Sequence, residues 1–163
     1  AGLPFHVTAT AAGFLPMIFV GITGPADFSM GRGLLSEMQL NQLAGALGIA
    51  YDSASAIIAV NIAGADRKSL PQSIKVAADA SVGSNTALVP DRSSPVGYKK
   101  SNTTIPGETS QVFLINVLPG AVPLLVTPPI GMSCTVYPSS KPQGSELVIG
   151  YARSITTVTL TCQ

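Results

Sequence analysis

A chain of 163 residues has the length of one domain, and we predict a single domain over residues 1–163. Only 10% of the residues are charged, against about 25% in an ordinary soluble domain, and the net charge is +1. The sequence therefore lacks the clustered basic residues that nucleic-acid binding needs. Prolines interrupt its longest apolar runs, so a membrane span of about 20 apolar residues is excluded as well.

The mean hydropathy is +0.42, so a folded monomer with so few charged residues would leave apolar surface exposed to water. We predict that the protein buries this surface against other copies or partners. A compact monomer with a neutral surface is the alternative. The basic pairs at 67–68 and 99–100 are predicted to be solvated loop tips. The chain starts at Ala1 rather than Met, which suits a mature secreted protein, although methionine removal would give the same start.

The first elements along the chain are two strands and a helix. Residues 5–11 alternate strictly between apolar and polar positions and predict a half-buried strand. Residues 17–23 are continuously apolar and predict a strand covered on both faces. Residues 36–47 predict a short α-helix with one apolar stripe, capped by Ser36 with Gln39 and closed by Gly48.

The rest of the chain predicts short strands separated by Gly, Pro, Ser and Asn. Residues 79–110 are predicted to be loop or a pair of short strands. The Pro-rich residues 119–129 predict an edge strand or a crossing loop. Residues 111–118 predict a central strand, and residues 156–162 a half-buried terminal strand. The remaining predicted strands cover residues 56–63, 73–78, 135–137 and 147–151. This pattern predicts an antiparallel β-sandwich, immunoglobulin-like or jelly-roll-like.

The two cysteines, Cys134 and Cys162, lie near the end of a Thr-rich chain of low charge. They favour a disulfide that ties the last strand to an earlier one, with a stabilisation of about 3–4 kcal/mol for a loop of this length. A pair of buried free thiols is the alternative. Two cysteines and one distant histidine do not supply the ligands of a zinc site.

No combination of residues predicts catalysis, and we expect neither enzyme activity nor a cofactor or metal. The only histidine, His6, lies on the polar face of the first strand. Asp52 and Ser53 have no second base or nucleophile-elbow pattern around them. Gly31 and Gly33 predict a tight turn, and Asn102 opens a glycosylation sequon. The carboxylates are scattered singly, at Asp27, Glu37, Asp52, Asp66, Asp79, Asp91, Glu108 and Glu146.

Two segments carry a resemblance to a known family. The run FHVTATA at residues 5–11, followed by an apolar second strand, and the final TTVTLTC at 156–162 resemble pilins assembled by the chaperone-usher route. The C-terminal cysteine pair after a mainly β domain also resembles the head domain of type IV pilins. That family's long apolar N-terminal helix is missing from this sequence.

The chaperone-usher resemblance implies a structural subunit of an extracellular pilus or fimbria. Its sandwich would be completed by the N-terminal strand of a neighbour, with Phe5, Val7, Ala9 and Ala11 as the inserted side chains. The alternative is that residues 1–11 pair within their own chain. The implied partners are further copies in a homopolymer and a dedicated assembly chaperone.

Two other classes of function stay open at this point. One is a monomeric secreted adhesin or carbohydrate-binding module, and the other is a virion coat or decoration protein. The state of assembly separates these classes from the filament subunit, because only a monomeric binding domain would sediment as a single chain.

Overall fold

A computed structural model describes residues 4–22, 34–64, 73–106, 111–137 and 146–163. The part of the chain that it describes forms one α-helix and eleven strands. In chain order they are β1 (Pro4–Ala9), β2 (Met17–Ile22), α1 (Glu37–Ala46), β3 (Ala56–Gly64), β4 (Lys75–Ala78), β5 (Thr86–Pro90), β6 (Tyr98–Lys100), β7 (Gln111–Val117), β8 (Gly120–Thr127), β9 (Cys134–Tyr137), β10 (Glu146–Gly150) and β11 (Ile155–Cys162).

Two β-sheets face each other, which confirms the predicted sandwich. The large sheet has the order β1-β2-β11-β3-β7-β5-β6, and β9 also pairs with β11. The small sheet has the order β10-β8-β4. An apolar cluster between the sheets includes Ile58, Val60, Leu114, Leu124 and Leu160. A burial of this kind is the main favourable term in folding.

The large sheet is mixed rather than wholly antiparallel, because β11 runs parallel to both β2 and β3. Parallel strands need a crossover connection, and here α1 lies in the connection from β2 to β3. Leu40 and Ala44 are the buried residues of the helix, and Leu40 packs on the outer face of the large sheet. The helix thereby forms a third layer over a second apolar cluster, to which β3 contributes Ile57 and Ala59.

The helix has the predicted ends. The Ser36 backbone N–H donates to Gln39 Oε1 at 2.9 Å, and the Gln39 N–H donates to Ser36 Oγ at 3.1 Å, which is a capping box. Gly48 follows the last turn with φ of +64°, a value that glycine adopts without steric cost. The predicted apolar stripe is also confirmed, since Leu43 and Leu47 pack beside the buried Leu40.

The prediction for residues 119–129 was wrong, because β8 is the central strand of the small sheet. Pro123 is tolerated there because its carbonyl accepts a bond from the Asp79 N–H at 3.0 Å, just beyond the end of β4. In an antiparallel strand the N–H and the carbonyl of one residue point to the same neighbouring strand. The missing N–H of Pro123 therefore also faces the β4 side, where the paired residues of β4 end at Ala78.

The prediction for residues 156–162 was also wrong in part. Their side chains alternate as expected, with Val158, Leu160 and Cys162 towards the small sheet. However, β11 is central, with β3 on one side and β2 and β9 on the other, so both of its faces are largely covered. The alternation of apolar and polar residues shows which side chains share a face of a strand, but it does not show which strands lie beside it.

The central position predicted for residues 111–118 is confirmed, but the side chains of this strand do not alternate strictly between its two faces. Asn116 has φ of +59°, and the pairing of β3 with β7 shifts register at this point. The resulting bulge turns Val117 onto the face of Val112 and Leu114, where strict alternation had placed Asn116. The Asn116 side chain instead donates to the Ala50 carbonyl at 2.7 Å and accepts from the Asp52 N–H at 2.9 Å.

The predicted disulfide joins Cys134 of β9 to Cys162 of β11, with Cα atoms 4.1 Å apart. The two cysteines lie directly opposite each other in the antiparallel pair. The next pair, Ser133 and Gln163, exchanges both backbone hydrogen bonds, at 2.8 and 2.9 Å. The cysteines therefore occupy a non-hydrogen-bonded pair, where the strands come closest, and they close the C-terminal end of β11.

Candidate functional site: the N-terminal edge strand

Strand β1 lies at one end of the large sheet, where β2 is its neighbour. The two strands form an antiparallel hairpin in which His6 lies opposite Val20 and Val7 opposite Phe19. Residues 10–16 connect them through a turn in which the Phe14 N–H donates to the Ala11 carbonyl at 3.1 Å. Gly13 in this turn has φ of +80°. The hairpin therefore depends on a short connection and one strand-to-strand ladder.

The structure places three of the four predicted inserting side chains on one face. Phe5, Val7 and Ala9 alternate along β1, opposite Gly21, Phe19 and Met17. Ala9 packs against the cluster beneath α1, whereas Val7 is 38% exposed. Ala11 lies beyond the end of the strand and is exposed.

Strand β1 thus has the apolar face of a core strand but only part of its burial. Val7, in the middle of the strand, is much more exposed than Phe19 opposite it, which is 7% exposed. A buried aliphatic side chain stabilises a fold by about 1.5–3 kcal/mol, in proportion to the area removed from water. Val7 realises only part of that amount in this arrangement, so β1 is weakly held compared with the strands inside the sheet.

The residues considered for catalysis lie apart. His6 is exposed on the face of β1 opposite to that of Phe5, Val7 and Ala9. Asp52 Oδ1 accepts from the Ala54 N–H at 2.9 Å in the turn before β3, and Ser53 is exposed beside it. Gly31 and Gly33 lie outside the described residues. Over the described ranges, no three His, Cys, Asp or Glu side chains come together as they would around a metal ion.

Two carboxylates close turns. Asp79 Oδ1 accepts from the Ser81 N–H at 2.9 Å, and this bond lowers the pKa of the carboxyl group. Asp91 accepts from both the Oγ and the N–H of Ser93, which lowers its pKa in the same way. Both residues are partly buried and are explained by local structure, since a hydrogen bond to the charged form of an acid favours that form.

The structure also places some of the other polar residues that the sequence analysis named. Lys99 and Lys100 are exposed, as predicted, but they belong to the edge strand β6 rather than to a loop tip. Lys99 Nζ lies 3.4 Å from Asp91. Asn102 is half-buried, and its carbonyl accepts from the Val76 N–H at 2.7 Å. Residues 67 and 68, together with Asp27, Asp66 and Glu108, lie outside the described residues.

Comparison with protein-family models, with curated proteins and with solved structures found no match. Among the described residues, no helix has the length and apolar character to cross a membrane.

Proposed function

We propose that this protein is a structural subunit of an extracellular filament, and that neighbouring subunits are joined by exchange of strand β1. The observation that supports the proposal most directly is the position of β1. It is an edge strand with an apolar face, and among the described strands it pairs with β2 alone. Val7, in the middle of β1, is 38% exposed.

Exchange conserves the contacts that the hairpin makes. If β1 leaves, the edge of β2 and the side chains of Met17 and Phe19 lose their cover. The β1 strand of a second copy restores the same register and the same packing, because its sequence is identical. The free energy of exchange then depends on the connection at residues 10–16 and on the subunit concentration, as in domain swapping.

The contact produced by such an exchange is head-to-tail. Each subunit gives β1 to one neighbour and receives β1 from another at β2, so the two surfaces involved are different. Contacts of this type propagate into open chains unless the rotation between subunits closes a ring. An assembly chaperone would protect the β2 edge until a neighbour supplies its strand, since an open sheet edge promotes aggregation.

Two further features favour an extracellular assembly. The Cys134–Cys162 disulfide is of a kind that persists in oxidising compartments. The outer face of the small sheet carries apolar side chains that are exposed, among them Leu125 at 46%, Leu147 at 61% and Ile149 at 45%. An apolar surface of this kind is available for lateral contacts within a filament.

A cysteine pair across the hairpin tests the exchange directly. We expect the double variant His6→Cys/Val20→Cys, oxidised after assembly, to give a ladder of covalent oligomers on a non-reducing denaturing gel. These two residues are opposite each other, so exchange makes their bond intermolecular. The single variants serve as controls and should give no ladder. A monomer cross-linked within its own chain, from material that has assembled, would show that β1 does not exchange.

Removal of β1 tests whether it is needed for assembly. We expect a chain lacking residues 1–11 to remain monomeric and to bind a synthetic peptide of residues 4–11. A peptide with Val7→Asp is the matched control and should bind weakly, because its charge lies on the apolar face. Filaments formed by the truncated chain would contradict the proposal. If the full-length protein itself sediments as a sharp 16.6 kDa species, a monomeric binding domain is favoured instead.

A further inference from the structure

A cavity of about 360 Å³ lies between α1 and the outer face of the large sheet. Its walls are mostly apolar and include Met17, Leu40, Leu43, Ile57, Ile115 and Ile155. Space of this size corresponds to the liquid volume of about a dozen water molecules at roughly 30 Å³ each. It falls within the usual size of small-molecule sites, which begin at about 300 Å³.

The cavity exists because a small residue stands in the middle of the sheet. Ala59 of β3 lies between Thr157 of β11 and Phe113 of β7 in the ladder. Ile57, two residues earlier, fills the corresponding position at the end of the face. A larger side chain at position 59 would point into the same space, since side chains two residues apart in a strand share one face.

The face that lines the cavity changes from apolar to polar along the strands. After Ile57 and Ala59, β3 presents Asn61, which is paired with Gln111 of β7. Gln111 Nε2 donates to Asn61 Oδ1 at 2.7 Å, and Gln111 lines the cavity. None of the described residues that line the cavity is Asp, Glu, Lys, Arg or His.

Thr157 lies at the polar side of this cavity. Its side chain is 6% exposed, and its Oγ1 has no hydrogen-bond partner among the described residues. The adjacent Thr156, on the opposite face of β11, donates from Oγ1 to the Ile149 carbonyl at 2.9 Å. A buried hydroxyl without a partner costs free energy that a bound molecule can recover by supplying the missing bond.

We propose that the cavity binds an uncharged amphiphile, with its apolar part beneath α1 and one hydroxyl or carbonyl group bonded to Thr157. An ionised ligand is excluded from the proposal because the described lining offers no opposite charge, and a buried charge without a partner is strongly unfavourable. This site is independent of strand exchange, and binding requires no filament.

A titration with 1-octanol, followed by methyl NMR, tests the site. We expect the methyl signals of Ile57, Ile115 and Ile155 to shift, whereas those of Ile58 and Ile74, between the two sheets, stay in place. Octanoate should bind at least about tenfold more weakly because its charge would be buried. No shift up to the solubility limit of octanol, or equal shifts on both faces of the large sheet, would overturn the proposal.

The two adjacent threonines provide a matched pair of variants. We expect Thr157→Val to weaken octanol binding about tenfold, the effect of one lost hydrogen bond. The same variant should leave the melting temperature unchanged or higher, since it removes an unpartnered hydroxyl without changing the side-chain shape. Thr156→Val should lower the melting temperature and leave octanol binding unchanged. Octanol binding that is equally strong in Thr157→Val would show that the cavity does not bind its ligand through Thr157.

Discussion

Strands β1 and β11 have similar sequences but very different surroundings. Both alternate apolar residues with threonine, as FHVTATA and TTVTLTC. β11 has β3 along its whole length on one side, with β2 and β9 on the other, and its side chains are mostly buried. β1 is at the end of the same sheet, with Val7 38% exposed. The comparison shows that the number of neighbouring strands, rather than the sequence pattern, decides which strand is firmly held.

The two strands also differ in covalent restraint. Cys162 ends β11 and is bonded to Cys134, so this strand is fixed to β9 as well as to the sheet. The connection that follows β1, in contrast, contains Gly13 and the exposed Phe14. A sheet with a fixed centre and a weakly held edge can lose and regain the edge strand without unfolding, as local opening in proteins requires.

The largest effect should come from removing the restraint on β11. We expect Cys134→Ala/Cys162→Ala to lower the free energy of unfolding by about 3–4 kcal/mol, because the unfolded chain gains the entropy of an open loop. Chemical denaturation measures this change. Reduction of the unaltered protein is the control and should give a similar loss, whereas the double variant should not respond to reductant. A loss below about 1 kcal/mol would show that the strand pairing alone fixes β11.

A smaller effect is expected at the bulge inside the sheet. We expect Asn116→Ala to cost about 2–3 kcal/mol, because it loses two hydrogen bonds and places alanine at positive φ. Asn116→Gly is the matched control, since glycine accepts this backbone conformation, and it should lose only about 1–2 kcal/mol. Equal losses in the two variants would mean that the positive φ at position 116 costs alanine no more than it costs glycine.

The smallest effects are expected when the same substitution, valine to alanine, is made in each of the two strands. We expect Val158→Ala in β11 to cost about 2 kcal/mol, since Val158 is 2% exposed and its methyl groups leave a cavity. Val7→Ala in β1 should cost well under about 1 kcal/mol in the monomer. Thermal unfolding of both variants measures the difference. Equal losses would show that β1 is held as firmly as the centre of the sheet.

Much of the secondary structure was predictable because it depends on local periodicity. The helix over residues 36–47, its capping box and most of the strands follow from the spacing of apolar residues and from Ser36, Gln39 and Gly48. The disulfide was predictable because the chain has only two cysteines, and the composition made an oxidising compartment the simplest assumption. Of the candidate site, the shared apolar face of Phe5, Val7 and Ala9 was predictable from alternation alone.

Other features had no signal in the sequence. Nothing near Pro123 shows that β4 ends beside it, so the central position of β8 could not be inferred. The bulge at Asn116 depends on carbonyl and N–H groups at Ala50 and Asp52, more than sixty residues away in the chain. The cavity arises because Ala59 comes to lie between Thr157 and Phe113, from two other strands.

The sequence by itself indicated most of the strands and most of their apolar faces, and its two cysteines allowed only one disulfide within the chain. These properties depend on the chemistry of neighbouring residues and on the two-residue repeat of an extended backbone. Only the tertiary structure decided the order of the strands, the parallel pairing of β11 and the contrast between a fixed β11 and a half-exposed β1. These properties depend on contacts between distant segments, and a pattern that specifies a face does not specify what covers it.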